Sequence, residues 1–206
     1  MTLNEALRQI AGFLGLDPQE LIEYAAEDTI GGYHADPARS QFPCGSLWTG
    51  EGKALYAVTR ALRPVDVLEL GAFKGASTNH LRAAVAPYHG WVTSVDVWEG
   101  AGELIRPEYG QGELVFMDGV EYLRGLPDDS FDLAFEDMLH DTEQVMQVCE
   151  LLLRKLVPGG VCIHHDSEHP TAGIPVKTGV REAGITDTLS LVFEDSDCGL
   201  LFWRRP

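Results

Sequence analysis

Positive charge is scarce in this chain: 15 Lys and Arg stand against 32 Asp and Glu in 206 residues, a formal net charge of −17. A chain so acidic repels phosphate backbones and anionic lipid surfaces, so neither nucleic acid nor membrane is expected as a partner. Cysteine is sparse as well. The four at positions 44, 149, 162 and 198 form neither a Cys-x-x-Cys pair nor the dense, even spacing of a secreted disulfide framework, and read as reduced thiols of a cytoplasmic protein. Long apolar runs are missing: nothing approaches the roughly 20 residues of a membrane span. Asn4, Glu5 and Arg8 interrupt the N-terminal segment where a signal peptide needs an unbroken apolar core. Also absent is the Gly-x-Gly-x-x-Gly fingerprint of dinucleotide enzymes, which makes a nicotinamide dehydrogenase the weakest enzyme reading.

What is present is enough apolar material, 45% of residues, to close a core without staples. At roughly 150 residues per domain the length predicts one domain over 1–206. Leu3, Leu7, Ile10 and Leu14 recur at helical spacing, and Asp17-Pro18 caps a second helix to about Glu27. Residues 28 to 50 are turn-rich yet carry Tyr33, His34, Phe42 and Trp48, which suits either a lid over a site or a loop packed onto the core. Residues 1–48 thus form a helical cap and lid loop, and 49–206 the core.

From Glu51 a helix runs to Pro64. Strands are then expected at Val65–Leu70, Trp91–Val97, Glu113–Met117, Phe131–Glu136 and Val161–His164, with helices at 77–86, 119–125 and 141–156 between them. Strands alternating with helices imply parallel strands joined by right-handed crossovers, hence a Rossmann-like, doubly wound α/β sheet. A helix near 176–183 leads to strands Leu189–Glu194 and Leu200–Arg204, which read as a closing antiparallel hairpin.

In such sheets ligands bind beyond the carboxyl ends of the strands, so the residues ending each strand carry the information. Strand one runs into Glu69-Leu70-Gly71-Ala72-Phe73-Lys74-Gly75-Ala76-Ser77, whose glycines either let a ligand approach the backbone or serve only a tight turn. Strand two ends at Asp96, where a carboxylate can accept two hydrogen bonds from a ribose diol. Strand three ends at Asp118-Gly119. Each lone Asp also suits an ordinary helix cap, but three strand ends in register favour a nucleoside site.

The stretch Val67 to Ser77, preceded by Thr49-Gly50-Glu51-Gly52-Lys53, resembles the first motif of class I S-adenosylmethionine-dependent methyltransferases, in particular the catechol-type and related small-molecule O-methyltransferases. The resemblance runs from about 49 to 166. It implies a seven-stranded, mostly parallel sheet with one antiparallel strand inserted by the hairpin, and S-adenosyl-L-methionine as cofactor. By position, Glu69 and Gly71 would contact the methionine part or support its loop, with Gly75 in the same turn. Ala72 and Ser77 would bind the amino-acid end, Asp96 the ribose, and Asp118 and Gly119 would border the adenine.

Strand four ends Glu136-Asp137-Met138-Leu139-His140, and strand five His164-His165-Asp166. In the catechol-type enzymes the positions matching Asp137, His165 and Asp166 hold a divalent cation, and a lysine stands where His140 is. The sequence is similar here to a bacterial group reading Asp-x-x-His and His-Asp. Asp137, His165 and Asp166 are therefore the expected cation ligands, for magnesium, manganese or a similar ion, with Glu136 in reserve and His140 as general base. The plainer alternatives are a metal-free substrate wall and a His140 that merely orients Asp137. His164 alternates with His165 and is expected to pack on the other face. Trp48, Trp98, Tyr109 and His169 are candidates for the acceptor wall.

The expectation is methyl transfer to a hydroxyl of a small molecule. A metal-independent transfer to an amine and a non-catalytic cofactor-binding scaffold are the alternatives. The N-terminal helices and the exposed hairpin favour a homodimer.

Overall fold

The computed structural model describes residues 1–43 and 45–206, so the thiol expected at Cys44 lies outside the described residues. Cys149, Cys162 and Cys198 are free. Helices α1 (Leu3–Leu14), α2 (Pro18–Glu27) and α3 (Thr49–Leu62) precede the first strand. Thr2 and Glu5 close a reciprocal capping box at the start of α1, and Asp17 caps α2 with Pro18 in its first turn, so local chemistry sets both starts.

The strands are β1 (Asp66–Leu70), β2 (Trp91–Asp96), β3 (Gly112–Phe116), β4 (Phe131–Glu136), β5 (Leu156–His164), β6 (Leu189–Leu191) and β7 (Leu200–Arg204). Between them run α4 (Ala76–Val85), α5 (Gly119–Gly125), α6 (Thr142–Lys155) and α7 (Gly173–Glu182). The seven strands form one sheet in the order β3-β2-β1-β4-β5-β7-β6. β1 to β5 pair in parallel, whereas β7 is antiparallel to both β5 and β6, as the closing hairpin implied.

Most boundaries shift by at most a residue, α7 begins at Gly173 rather than near 176, and β6 and β5 differ for visible reasons. β6 ends at Leu191 rather than Glu194, because Phe193 leaves the ladder to pack in the core. β5 begins at Leu156, ahead of Pro158-Gly159-Gly160, and its register against β4 shifts between Phe131 and Leu133. The proline cannot donate to a ladder and Gly159 takes φ +80°, so this stretch is irregular and carries no apolar signal.

Side chains alternate across the sheet and divide the core in two. Val67, Val92, Leu133, Phe135, Val161, Ile163 and Phe202 pack with α1 to α4. Leu68, Leu70, Val95, Ala134, Cys162, Leu201 and Trp203 pack with α5 to α7. Burying a Leu, Val or Phe side chain contributes about 1.5–3 kcal/mol, so both faces are strongly specified and the carboxyl ends of β1 and β4 are held side by side. Chain order reverses between those two strands, leaving a crevice beyond their ends. No helix of the described residues is long and apolar enough to cross a membrane.

Candidate active site

A cavity of about 540 Å³ opens at this crevice. Gly71, Asp96, Asp118, Gly119, Asp137, His140 and Asp166 line it, all residues at strand ends, together with Phe73, Val97, Met117, Met138 and Leu139. Ala72 and Ser77 line a side recess that shares Gly71, Phe73 and Asp137 with the main cavity. Gly71 has φ +88°, and a Cβ there would run into the Asp137 carbonyl oxygen, so the close approach of the turns that follow β1 and β4 requires glycine.

The Asp96 carboxylate accepts the Phe73 N–H on Oδ2 and the Trp98 N–H on Oδ1, both at 2.8 Å. An ionised carboxylate has about four acceptor positions, so roughly two remain for a diol. Asp118 caps α5 by accepting the Glu121 N–H at 3.0 Å and still lines the cavity, so the cap reading and the site reading hold together. Phe73 itself lies at φ +43°, an uncommon conformation for a bulky residue, and stacks on Trp98 with ring centroids 5.5 Å apart at the cavity rim.

Three expected site residues lie behind the cavity wall. Glu69 is fully buried between β1, β2 and α4, where Oε2 accepts the hydroxyls of Thr78 at 2.6 Å and Ser94 at 2.5 Å, so it supports the glycine loop from beneath. Burial pushes its carboxyl above the ordinary range, against the opposing pull of the Ser77, Ser94 and Thr78 hydroxyls. Gly75 starts α4 at φ +96°. His165 is buried at the end of β5 beneath Asp137.

The expected cation ligands lie near one another, but the group whose ligand atoms cluster closely enough for one ion is Asp137, His140 and Asp166, whereas His165 clusters with Glu51 and Cys198. His165 Nδ1 lies 3.2 Å from Asp137 Oδ1 and 3.7 Å from Asp166 Oδ2. His140 brackets the same aspartates from the cavity side, with Nε2 3.5 Å from Asp137 Oδ1 and Nδ1 3.5 Å from Asp166 Oδ2. These spacings are too long for strong hydrogen bonds, and His140 Nε2 is a buried atom without a hydrogen-bond partner. Asp166 takes φ +56°, in the left-handed region.

Asp137 is held well below the ordinary carboxylate range: burial opposes the charge, but His165 and His140 outweigh it. The same balance raises His165 well above the ordinary histidine value, with burial working against it and Asp137 and Glu51 prevailing. His140 is raised as well, burial being overcome by Asp137 first and then by Glu136 and Asp166.

Other expectations fall elsewhere. Glu136 is fully buried and committed, accepting the Met138 N–H at 3.1 Å and facing His164 Nδ1 at 2.8 Å, which removes it from the ligand set. His164 packs on the far face with Cys149, Cys162 and Trp203, whose indole donates to Nε2 at 2.9 Å. Of the proposed acceptor wall, Trp98 reaches the rim and Trp48 sits edge-on to Tyr33 at 4.6 Å. Tyr109 packs instead against the cluster of Ile30, Phe42 and Ala76, and His169 Nδ1 holds the Thr171 and Ala172 N–H groups.

Residues 68–167 match the family model described as a methyltransferase domain. Over these residues, just under half of the chain, the sequence is similar to a methyltransferase domain. No curated protein matches the sequence. Solved structures similar to this protein include the cofactor-bound Rv0187 from MTB, 20% identical with TM-score 0.64 over 79% of this chain and 82% of that one. The O-methyltransferase from Bacillus cereus in complex with SAH is 18% identical with TM-score 0.59, covering 93% of this chain and 89% of its own. The O-methyltransferase TomG from Streptomyces achromogenes, involved in tomaymycin synthesis and in complex with SAM, is 22% identical with TM-score 0.59 over 80% and 84%. At these identities the likeness establishes the fold.

The residue that sequence reasoning passed over is Glu51 on α3. It is fully buried, yet one carboxylate oxygen lies 3.0 Å from His165 Nε2. The sequence separation of 114 places this contact beyond any local motif.

Proposed function

We propose that this protein moves the methyl group of S-adenosylmethionine to a hydroxyl oxygen of a small molecule, with His140 as general base. The observation that carries the reading is the placement of His140: it lines the cavity beside Asp137 and Asp166, at the strand ends that face the cofactor crevice. The acceptor oxygen attacks the methyl carbon in line, the carbon–sulfur bond breaks, and its electron pair stays on sulfur. The acceptor proton passes to the imidazole. Alignment of oxygen, methyl carbon and sulfur contributes roughly 7–11 kcal/mol at best, so the rigid strand ends matter as much as the base.

Asp96 would hold the ribose, Asp118 and Gly119 would border the adenine, and Ala72 and Ser77 in the side recess would receive the amino-acid end. Asp137 and Asp166 with an imidazole would hold a divalent cation: Nδ1 of His165 lies 3.2 Å and 3.7 Å from their oxygens, and His140 clusters with the same two carboxylates. Such a set suits manganese, iron or zinc at least as well as magnesium. A bound cation would lower the pKa of the acceptor hydroxyl and orient it.

A second reading is transfer to an amine, favoured by the four aspartates and the absence of Lys and Arg in the described cavity lining, which would attract a cationic acceptor. Matched hydroxyl and amine acceptors, followed by S-adenosylhomocysteine release before and after chelation, separate the two. Hydroxyl turnover that falls on chelation and in His140→Ala supports the proposal, and amine turnover indifferent to both overturns it.

A further inference from the structure

Glu51 lies outside the matched residues, on α3, and its full burial calls for a reason. Both of its oxygens are fully engaged. Oε1 accepts the Ser196 hydroxyl and the Gly199 N–H at 2.8 Å. Oε2 accepts the Trp48 N–H at 3.0 Å and faces His165 Nε2 at 3.0 Å. With about four acceptor positions filled, Glu51 has none left for an ion, so the grouping of Glu51, His165 and Cys198 is not itself a cation site. Its effect falls on the imidazole.

We propose that Glu51 is a positioning residue for the cation site: by accepting a hydrogen bond from the Nε2–H of His165 it fixes the ring so that Nδ1 faces Asp137 and Asp166. The inference rests on the cation set proposed above and adds its outer partner. A histidine that ligates a metal through one nitrogen generally donates the other N–H to a carboxylate or carbonyl, which settles both tautomer and ring angle. Here the partner comes from the helix that precedes the domain, and the same carboxylate ties down the loop between β6 and β7 through Ser196 and Gly199. The cation site thus draws its outer partner from outside the matched residues, on their N-terminal side.

The test uses the full chain, freed of metal by chelation and titrated with manganese, with S-adenosylhomocysteine affinity and melting temperature measured alongside. Glu51→Gln is expected to weaken manganese binding by about 10–100-fold while S-adenosylhomocysteine affinity is unchanged. Ser196→Ala, which removes one contact to Glu51 and none to His165, is expected to lower the melting temperature without moving manganese affinity. If both variants weaken manganese only in proportion to lost stability, Glu51 is structural and the proposal fails. Should Glu51→Gln not fold, pulsed electron paramagnetic resonance of manganese on the unaltered chain and on His140→Ala decides: imidazole nitrogen coupling retained in both supports His165 as ligand, and its absence from either overturns the proposal. A chain that binds S-adenosylhomocysteine but no manganese overturns the cation site and this inference together, and leaves the methyl-transfer reading standing.

Discussion

Glu51 and His165 stand 114 residues apart in the chain and meet at 3.0 Å, with side-chain exposures of 0% and 5%. Between them they join α3 to the end of β5, and Nδ1 of the same imidazole continues to Asp137 at 3.2 Å. A line of alternating acidic and basic side chains therefore runs from α3 to the cavity wall. Its near end is His140, where the account places the chemistry.

His140→Ala is expected to lower methyl transfer by about 100- to 10,000-fold, the usual contribution of a positioned base. S-adenosylhomocysteine affinity is expected to be retained, because His140 reaches toward the aspartates and makes no contact with the glycine turn or Asp96. Single-turnover rates with titrated cofactor check this; loss of affinity with the rate preserved would assign His140 to cofactor binding instead.

Asp96→Ala removes the acceptor for two backbone N–H groups as well as the proposed ribose contact. Hydrogen bonds to charged groups contribute about 1.5–3 kcal/mol each, so S-adenosylhomocysteine should bind at least about 10-fold more weakly. Equal affinity in calorimetry would show that the nucleoside lies elsewhere.

Gly71→Ala places a Cβ against the Asp137 carbonyl in a left-handed conformation at φ +88°. Overpacking and backbone strain together are expected to cost about 2–5 kcal/mol and to push β1 away from β4. Denaturant unfolding measures the loss, and a variant as stable as the parent would contradict the close approach described here.

Glu69 supplies a prediction in pH. Burial raises its carboxyl in the folded chain, so the fold favours the protonated form. Its contribution to stability is fully present below the ordinary glutamate value and is lost as pH rises through the raised one. Glu69→Gln, neutral at every pH, should therefore gain in melting temperature relative to the parent as pH is raised from about 4 to 8. A difference that stays constant or runs the other way would show that the Thr78 and Ser94 hydroxyls more than offset the burial.

The sheet was legible because its strands are buried on both faces and end on turn chemistry, so Val67 to Leu70 and Phe131 to Glu136 announce themselves as apolar runs. The strand-end aspartates at 96, 118, 137 and 166 were legible for the same reason, since topology places every strand end at one crevice. Local pattern is silent on contacts made across the fold. Glu51 sits in the first turn of α3, where an acidic residue is unremarkable, and only tertiary packing brings it to His165. His80 likewise carried no spacing signal, yet it is fully buried with Nε2 2.8 Å from the Gly31 carbonyl, pinning the N-terminal segment to α4. The early start of β5 was hidden by Pro158, Gly159 and Gly160, which read as a turn.

Calorimetric titration of the chelator-treated protein with S-adenosylhomocysteine tests the central claim most directly. The account predicts one site per chain with a dissociation constant on the order of micromolar, weakened in Asp96→Ala and retained in His140→Ala. No heat of binding to the folded chain, with or without manganese, would contradict it.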